Sequence, residues 1–142
     1  MQRVVLDTNV IVSGLLSRKG APAQVLDAWR ERRFLLVASP AIVAEVSAAL
    51  HYPHIRHKYV LVEADNQEIL ALLEHDALLV PGNSDVAGSV PLDAKDEMFL
   101  ACAVDGQVDM IVSGDHHLLE LGAYRDIPII TVRQFLERLK LE

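Results

Sequence analysis

The amino-acid sequence predicts an α/β fold in which short, fully buried strands alternate with helices. Three observations predict it. Strand-length apolar runs recur along the chain without the every-other-residue polarity of a half-exposed sheet, which suits a parallel sheet covered on both faces. Helical patterns, several with capping residues, fall between those runs. Alternation of this kind needs crossover connections and yields an open sheet sandwiched by helices.

The expected strands are Arg3–Leu6, Leu35–Ala38, Ala77–Val80, Met110–Ser113 and Pro128–Thr131. One helix is expected over about Pro22–Arg32, with Val25, Leu26 and Trp29 on one stripe. A second starts after Ser39, a good cap, with Pro40 at the first helical position. It carries Ile42, Val43, Val46 and Leu50. A third covers Glu63–Glu74 and a fourth Asp93–Val104. The last begins at Thr131 with Gln134 three residues on, a capping-box pattern ahead of Phe135, Leu136 and Leu139. Pro81–Pro91, rich in Gly, Asn and Ser, reads as a long loop within the domain.

The 142 residues suit a single domain over 1–142, and 51% hydrophobic content is enough to bury a core. No apolar run approaches the roughly 20 residues of a membrane span. The N-terminal run Val4–Leu6 meets Asp7 at once, too short for a signal peptide, so a cytoplasmic protein with no membrane partner is expected. Cys102, the one cysteine, cannot pair internally and reads as a small buried hydrophobe. The net charge of −7 argues against a broad basic surface for nucleic acid. It leaves room for a nuclease, because a divalent-cation site gathers acids and bound metal reverses the local field.

In such sheets ligands bind beyond the carboxyl ends of the strands. Asp7 directly follows the first strand, and Asp115 comes just after the strand ending at Ser113. Either could simply cap the helix that follows. Glu45 is harder to explain that way. Its helical neighbours Ala41, Ile42, Ala48 and Ala49 are all apolar, so its carboxylate is partly buried or faces a cavity and needs a partner or a metal. Asp96 has Phe99 and Leu100 ahead and Asp93 a turn back, although acids in a first helical turn are common. Four acids from four segments, each read as lying at a strand end or helix start, repel unless a cation joins them. Their hard oxygen ligands favour Mg²⁺ or Mn²⁺ over zinc.

Val4-Val5-Leu6-Asp7-Thr8-Asn9-Val10 resembles the opening motif of PIN-domain ribonucleases. Asp96-Glu97-Met98-Phe99-Leu100-Ala101-Cys102-Ala103 resembles that family's third acidic motif, and Ser113-Gly114-Asp115 its fourth. Glu45 stands on the helix after the second strand, where the family carries an acid. The match is collinear over nearly the whole chain, and the subgroup it resembles is that of small bacterial toxins of the VapC type. The resemblance implies a three-layer α/β/α fold around a parallel five-stranded sheet of order 3-2-1-4-5. It implies an endoribonuclease that hydrolyses RNA phosphodiesters by metal-activated water, with Mg²⁺ or Mn²⁺ held by Asp7, Glu45, Asp96 and Asp115. Thr8, Asn9 and Ser113 would orient those carboxylates or the water, and Asp93 would reach metal through water. A small antitoxin and a second copy of the chain are the expected protein partners.

His51, His54 and His57 recur every three residues, but helical positions six apart face opposite ways, which argues against zinc. Interleaved with Tyr52, Arg56, Lys58 and Tyr59, these histidines instead suggest a basic-aromatic patch for RNA, with His54, Arg56 and Lys58 as its contacts, or an ordinary solvated segment. Lys95, next to Asp96, could touch a phosphate or neutralise nearby acids; His116 and His117 could assist proton transfer. Two other readings remain at this stage: a noncatalytic PIN-like scaffold for RNA or protein, and an aspartyl-phosphate receiver or phosphatase using Asp7. The second lacks support, since a phosphatase would want an acid where Asn9 stands and a receiver an acidic pair where Gln2 and Arg3 stand.

Overall fold

In a computed structural model, which describes residues 1–17, 19–52, 63–87 and 94–141, the strands and helices alternate as expected. The order is β1 (Arg3–Leu6), α1 (Thr8–Leu16), α2 (Ala21–Arg30), β2 (Leu35–Ala38), α3 (Pro40–Leu50), α4 (Glu63–Asp76) and β3 (Leu78–Leu79). A 3-10 turn (Ala94–Asp96) then leads into α5 (Glu97–Asp105), β4 (Met110–Val112), α6 (His116–Leu121), β5 (Ala123–Tyr124), β6 (Ile127–Ile130) and α7 (Val132–Lys140). The sheet order is β3-β2-β1-β4-β6-β5, parallel throughout except for the last pair. With β5 set aside, it is the five-stranded parallel order 3-2-1-4-5.

The extra strand comes from a hairpin. Ala123 pairs with Pro128 and Tyr124 with Ile127, leaving Arg125 and Asp126 as a two-residue turn. Both have positive φ, 47° and 69°, the turn whose twist matches antiparallel strands. Asn-Gly and Asp-Gly announce such turns in a sequence; Arg-Asp does not.

Central β1 explains the layering. Successive side chains of a strand point to opposite faces, yet Val4, Val5 and Leu6 are all buried. Both faces are therefore covered, and the architecture has three layers. Helix α5 packs directly on β1, β2 and β4, while α1 packs on α2 and α3. The α1–α2 contact is close enough to require Gly14, since a Cβ there would lie 2.7 Å from Leu26 and 2.8 Å from the Pro22 carbonyl oxygen. At the other end of the chain α7 packs on α2, and Phe135 meets Phe34 edge to face at 5.0 Å. Cys102 is buried as the sequence suggests, and burial pushes its thiol up to about 12.

The loop after β3 is fastened where it is described. Asp105 at the end of α5 accepts from the Ser84 hydroxyl and from the Asn83 N–H (2.8 Å), and these bonds hold its carboxyl below the usual range. The Arg125 guanidinium donates to the Asp85 carbonyl at 2.9 Å. Among the described residues no helix is long and apolar enough to cross a membrane.

Candidate active site

Parallel strands deliver their following residues to one edge of the sheet. Asp7 follows β1, Ser39 follows β2, Ser113 follows β4 and Thr131 follows β6. Asp7 accepts the Val10 N–H at 2.9 Å through Oδ1, so it does cap α1. Its Oδ2 accepts from the Ser113 hydroxyl and from the Gly114 N–H at 3.2 Å. Ser113 in turn accepts the Asp115 N–H at 2.9 Å. Asp115 caps α6 by accepting the His117 N–H at 2.7 Å. Ser113, fully buried, therefore couples the two acids through a single hydroxyl.

The acids do more than cap. Asp7, Glu45, Asp96 and Asp115 all line one cleft of about 160 Å³, together with Thr8, Asn9, Lys95, Met98 and Phe99. Asp96 stands at the start of α5 but makes no side-chain capping bond there. Glu45 reaches the cleft, half-buried, from α3. Asp7 is only 3% exposed, and burial raises its pKa above the ordinary value. Hydrogen bonds from Ser113, Val10 and Gly114 oppose that rise, while the nearby Asp115 charge adds to it. Thr8 is also buried, and its Oγ1 has no hydrogen-bond partner among the described residues. An unsatisfied buried hydroxyl is costly, which makes it a receptive point in the cleft wall.

Sequence reasoning named seven of the nine lining residues as site residues. It missed Met98 and Phe99, which supply the apolar part of the wall; the i, i+3 spacing from Asp96 to Phe99 was the available signal. Neither His116 nor His117 lines the cleft; their rings lie 4.0 Å apart, tilted at 40°. Asp93 and the segment with His54, Arg56, His57 and Lys58 lie outside the described residues. Among the described residues no three His, Cys, Asp or Glu side chains form a ready-made metal cage.

A parallel α/β sheet with an acid cleft at its carboxyl edge defines a class of protein that presents hard oxygen donors where such sheets bind ligands. A family model for the PIN domain matches residues 3–117, and the chain belongs to the PIN-domain family. It is 29% identical over 119 residues to the uncharacterized protein MJ1680 of Methanocaldococcus jannaschii, covering 84% of this chain and 74% of that one. Its fold is similar to a chain in the crystal structure of VapBC2 from Rickettsia felis bound to a DNA fragment from their promoter. That likeness has a TM-score of 0.59 at 10% identity, over 91% of this chain and 98% of the other. The structure of FitAcB from Neisseria gonorrhoeae gives a TM-score of 0.53 at 18% identity, over 92% and 98%.

Proposed function

We propose that this chain is a divalent-metal-dependent endoribonuclease, and that it serves as the toxin of a toxin–antitoxin pair. The convergence of Asp7, Glu45, Asp96 and Asp115 on one small cleft carries the reading. PIN-domain proteins are generally nucleases, which agrees with it.

The donor set fits a hard cation. All four acids offer oxygen, as does the Thr8 hydroxyl that lacks a partner among the described residues. Asp7, Glu45, Asp96 and Asp115 would hold such an ion, with water supplying further oxygen, as is usual for Mg²⁺. When bound, such an ion supplies positive charge to a phosphodiester and makes water a better nucleophile. The chain's own work is positioning. Val10, Ser113 and Gly114 fix the Asp7 carboxylate and favour its ionised form against the pull of burial. Ser113 also sets where Asp115 begins its helix. Asn9, exposed at the cleft, and Thr8 would orient water or substrate oxygen. No side-chain nucleophile is required.

The partner reading rests on the neighbours, whose structures are those of VapBC2 and FitAcB. A small antitoxin that covers the cleft, and pairing of two copies of the chain, complete the proposal.

The test is cleavage of single-stranded RNA by purified protein. Activity should appear with Mg²⁺ or Mn²⁺, vanish in EDTA and return on adding metal. Undiminished cleavage by metal-free protein would sink the metal mechanism. No cleavage under any metal would favour a noncatalytic RNA- or protein-binding role.

A further inference from the structure

Among the nine described residues that line the acid cleft, Lys95 is the one cation. The 3-10 turn Ala94–Asp96 sets it directly before Asp96. Asp96 is buried and Lys95 is exposed, so two consecutive residues give the cleft a buried carboxylate and an exposed lysine. The cleft is small. At about 160 Å³ it falls below the ~300–1,000 Å³ of pockets that enclose whole small molecules. A space of that size suits a cation and a phosphate group.

Resting on the nuclease reading above, we infer that Lys95 is a substrate-binding residue that contacts a phosphate oxygen at the scissile phosphodiester. It sets affinity for the RNA backbone and carries no base preference. A compact, strongly hydrated ammonium suits a point contact with phosphate; base readout favours planar, bidentate groups. The competing role is neutralising Asp96. An exposed lysine gains little from such pairing, because solvent screens it.

The experiment compares wild type with Lys95→Gln and Lys95→Arg in the full chain. Lys19→Gln is the control, at an exposed lysine beyond the far end of α1 from Asp7. Two single-stranded RNAs of unrelated sequence are used. Binding is read by fluorescence anisotropy in Ca²⁺ across a salt series, and cleavage in Mn²⁺. Lys95→Gln should weaken binding and raise KM about fivefold for both RNAs. Its plot of log affinity against log salt should be shallower by about 0.7, one single-strand phosphate contact. Lys95→Arg should keep the slope, Lys19→Gln should change nothing, and the rise in melting temperature given by Mn²⁺ should be the same in all. An unchanged slope in folded Lys95→Gln would overturn the inference, as would an effect confined to one RNA. So would a changed Mn²⁺ response with unchanged binding, which marks a neutralising role. Wild type that binds both RNAs but cleaves neither would sink the nuclease reading and leave Lys95 to be decided by the slope. Wild type that binds neither overturns both.

Discussion

Among the described residues, four helices begin at the carboxyl edge of this sheet with a side chain that accepts a backbone N–H, and they divide into two pairs. Ser39 on α3 and Thr131 on α7 cap with hydroxyls, at 3.3 Å to Ile42 and 3.2 Å to Gln134. Asp7 on α1 and Asp115 on α6 cap with carboxylates, at 2.9 and 2.7 Å. The backbone requirement is the same, and the first pair shows that no charge is needed to meet it. Asp7 moreover holds its carboxylate where burial raises the pKa, a cost that a serine would not incur. The acids line the cleft and the hydroxyls do not. Capping α1 and α6 therefore does not by itself require charge at positions 7 and 115, and both carboxylates line the cleft.

Asp115→Ser turns one pair into the other and carries the largest expected effect. Serine can still accept the His117 N–H, so the α6 cap survives with a shift in Tm of no more than about 5 °C. RNA cleavage should fall by about a hundredfold or more, the scale on which a preorganised polar group in a reactive site acts. Thermal melting beside a cleavage assay measures both. A wild-type rate in the well-folded variant would dissolve the division; a collapse in melting temperature would make Asp115 chiefly a cap.

Ser113→Ala probes the link between the two acids and should act more weakly. Its hydroxyl donates to Asp7 and accepts from Asp115. Removing it deletes a bond that favours ionised Asp7, so the Asp7 pKa should rise further above the ordinary value. If activity needs Asp7 ionised, a higher pKa moves the acid limb of the pH–rate profile to higher pH. Metal affinity, read by titrating Mn²⁺ against activity at neutral pH, should weaken by about 10–100-fold. An acid limb that stays in place would show that Asp7 is not the group whose ionisation limits the rate.

The same contrast shows what could be read from the sequence. Strands β1 and β2 match their expected limits because a buried apolar run followed by a polar cap specifies both ends. The capping box of α7 was legible for a local reason: Thr131 and Gln134 answer each other within one turn. The two roles of Asp7 could not be separated, since capping and cleft-lining place the same residue type at the same strand end. The resemblance implied that Ser113 orients a carboxylate, and the fold shows which one, since its hydroxyl donates to Asp7, 106 residues away. Glu45 was different. Midway along α3, surrounded by small apolar side chains, it had no capping role to compete with. Strand β3 shrank to two residues, and β5 was missed, because a turn built on Arg125 and Asp126 carries no glycine signal.

Thr131→Ala sets the lower end of the comparison. Thr131 and Gln134 satisfy each other's backbone N–H, at 2.9 Å into the Gln134 side chain and 3.2 Å into the Thr131 hydroxyl. Alanine removes one of these bonds and leaves the Gln134 N–H to water. The cost should be about 1 kcal/mol of stability, a fall in Tm of about 4 °C. The first turn of α7 should fray, but Phe135 remains packed on Phe34, so the helix stays docked. Nothing in this change touches a residue that lines the cleft. RNA cleavage at a temperature well below the transition should match wild type, with the same kcat/KM and the same acid limb. The measurement is a melting curve paired with a pH–rate profile. A lower rate at unchanged Tm would place Thr131 in the reactive machinery, and the separation of capping hydroxyls from functional acids would fail at its weakest point.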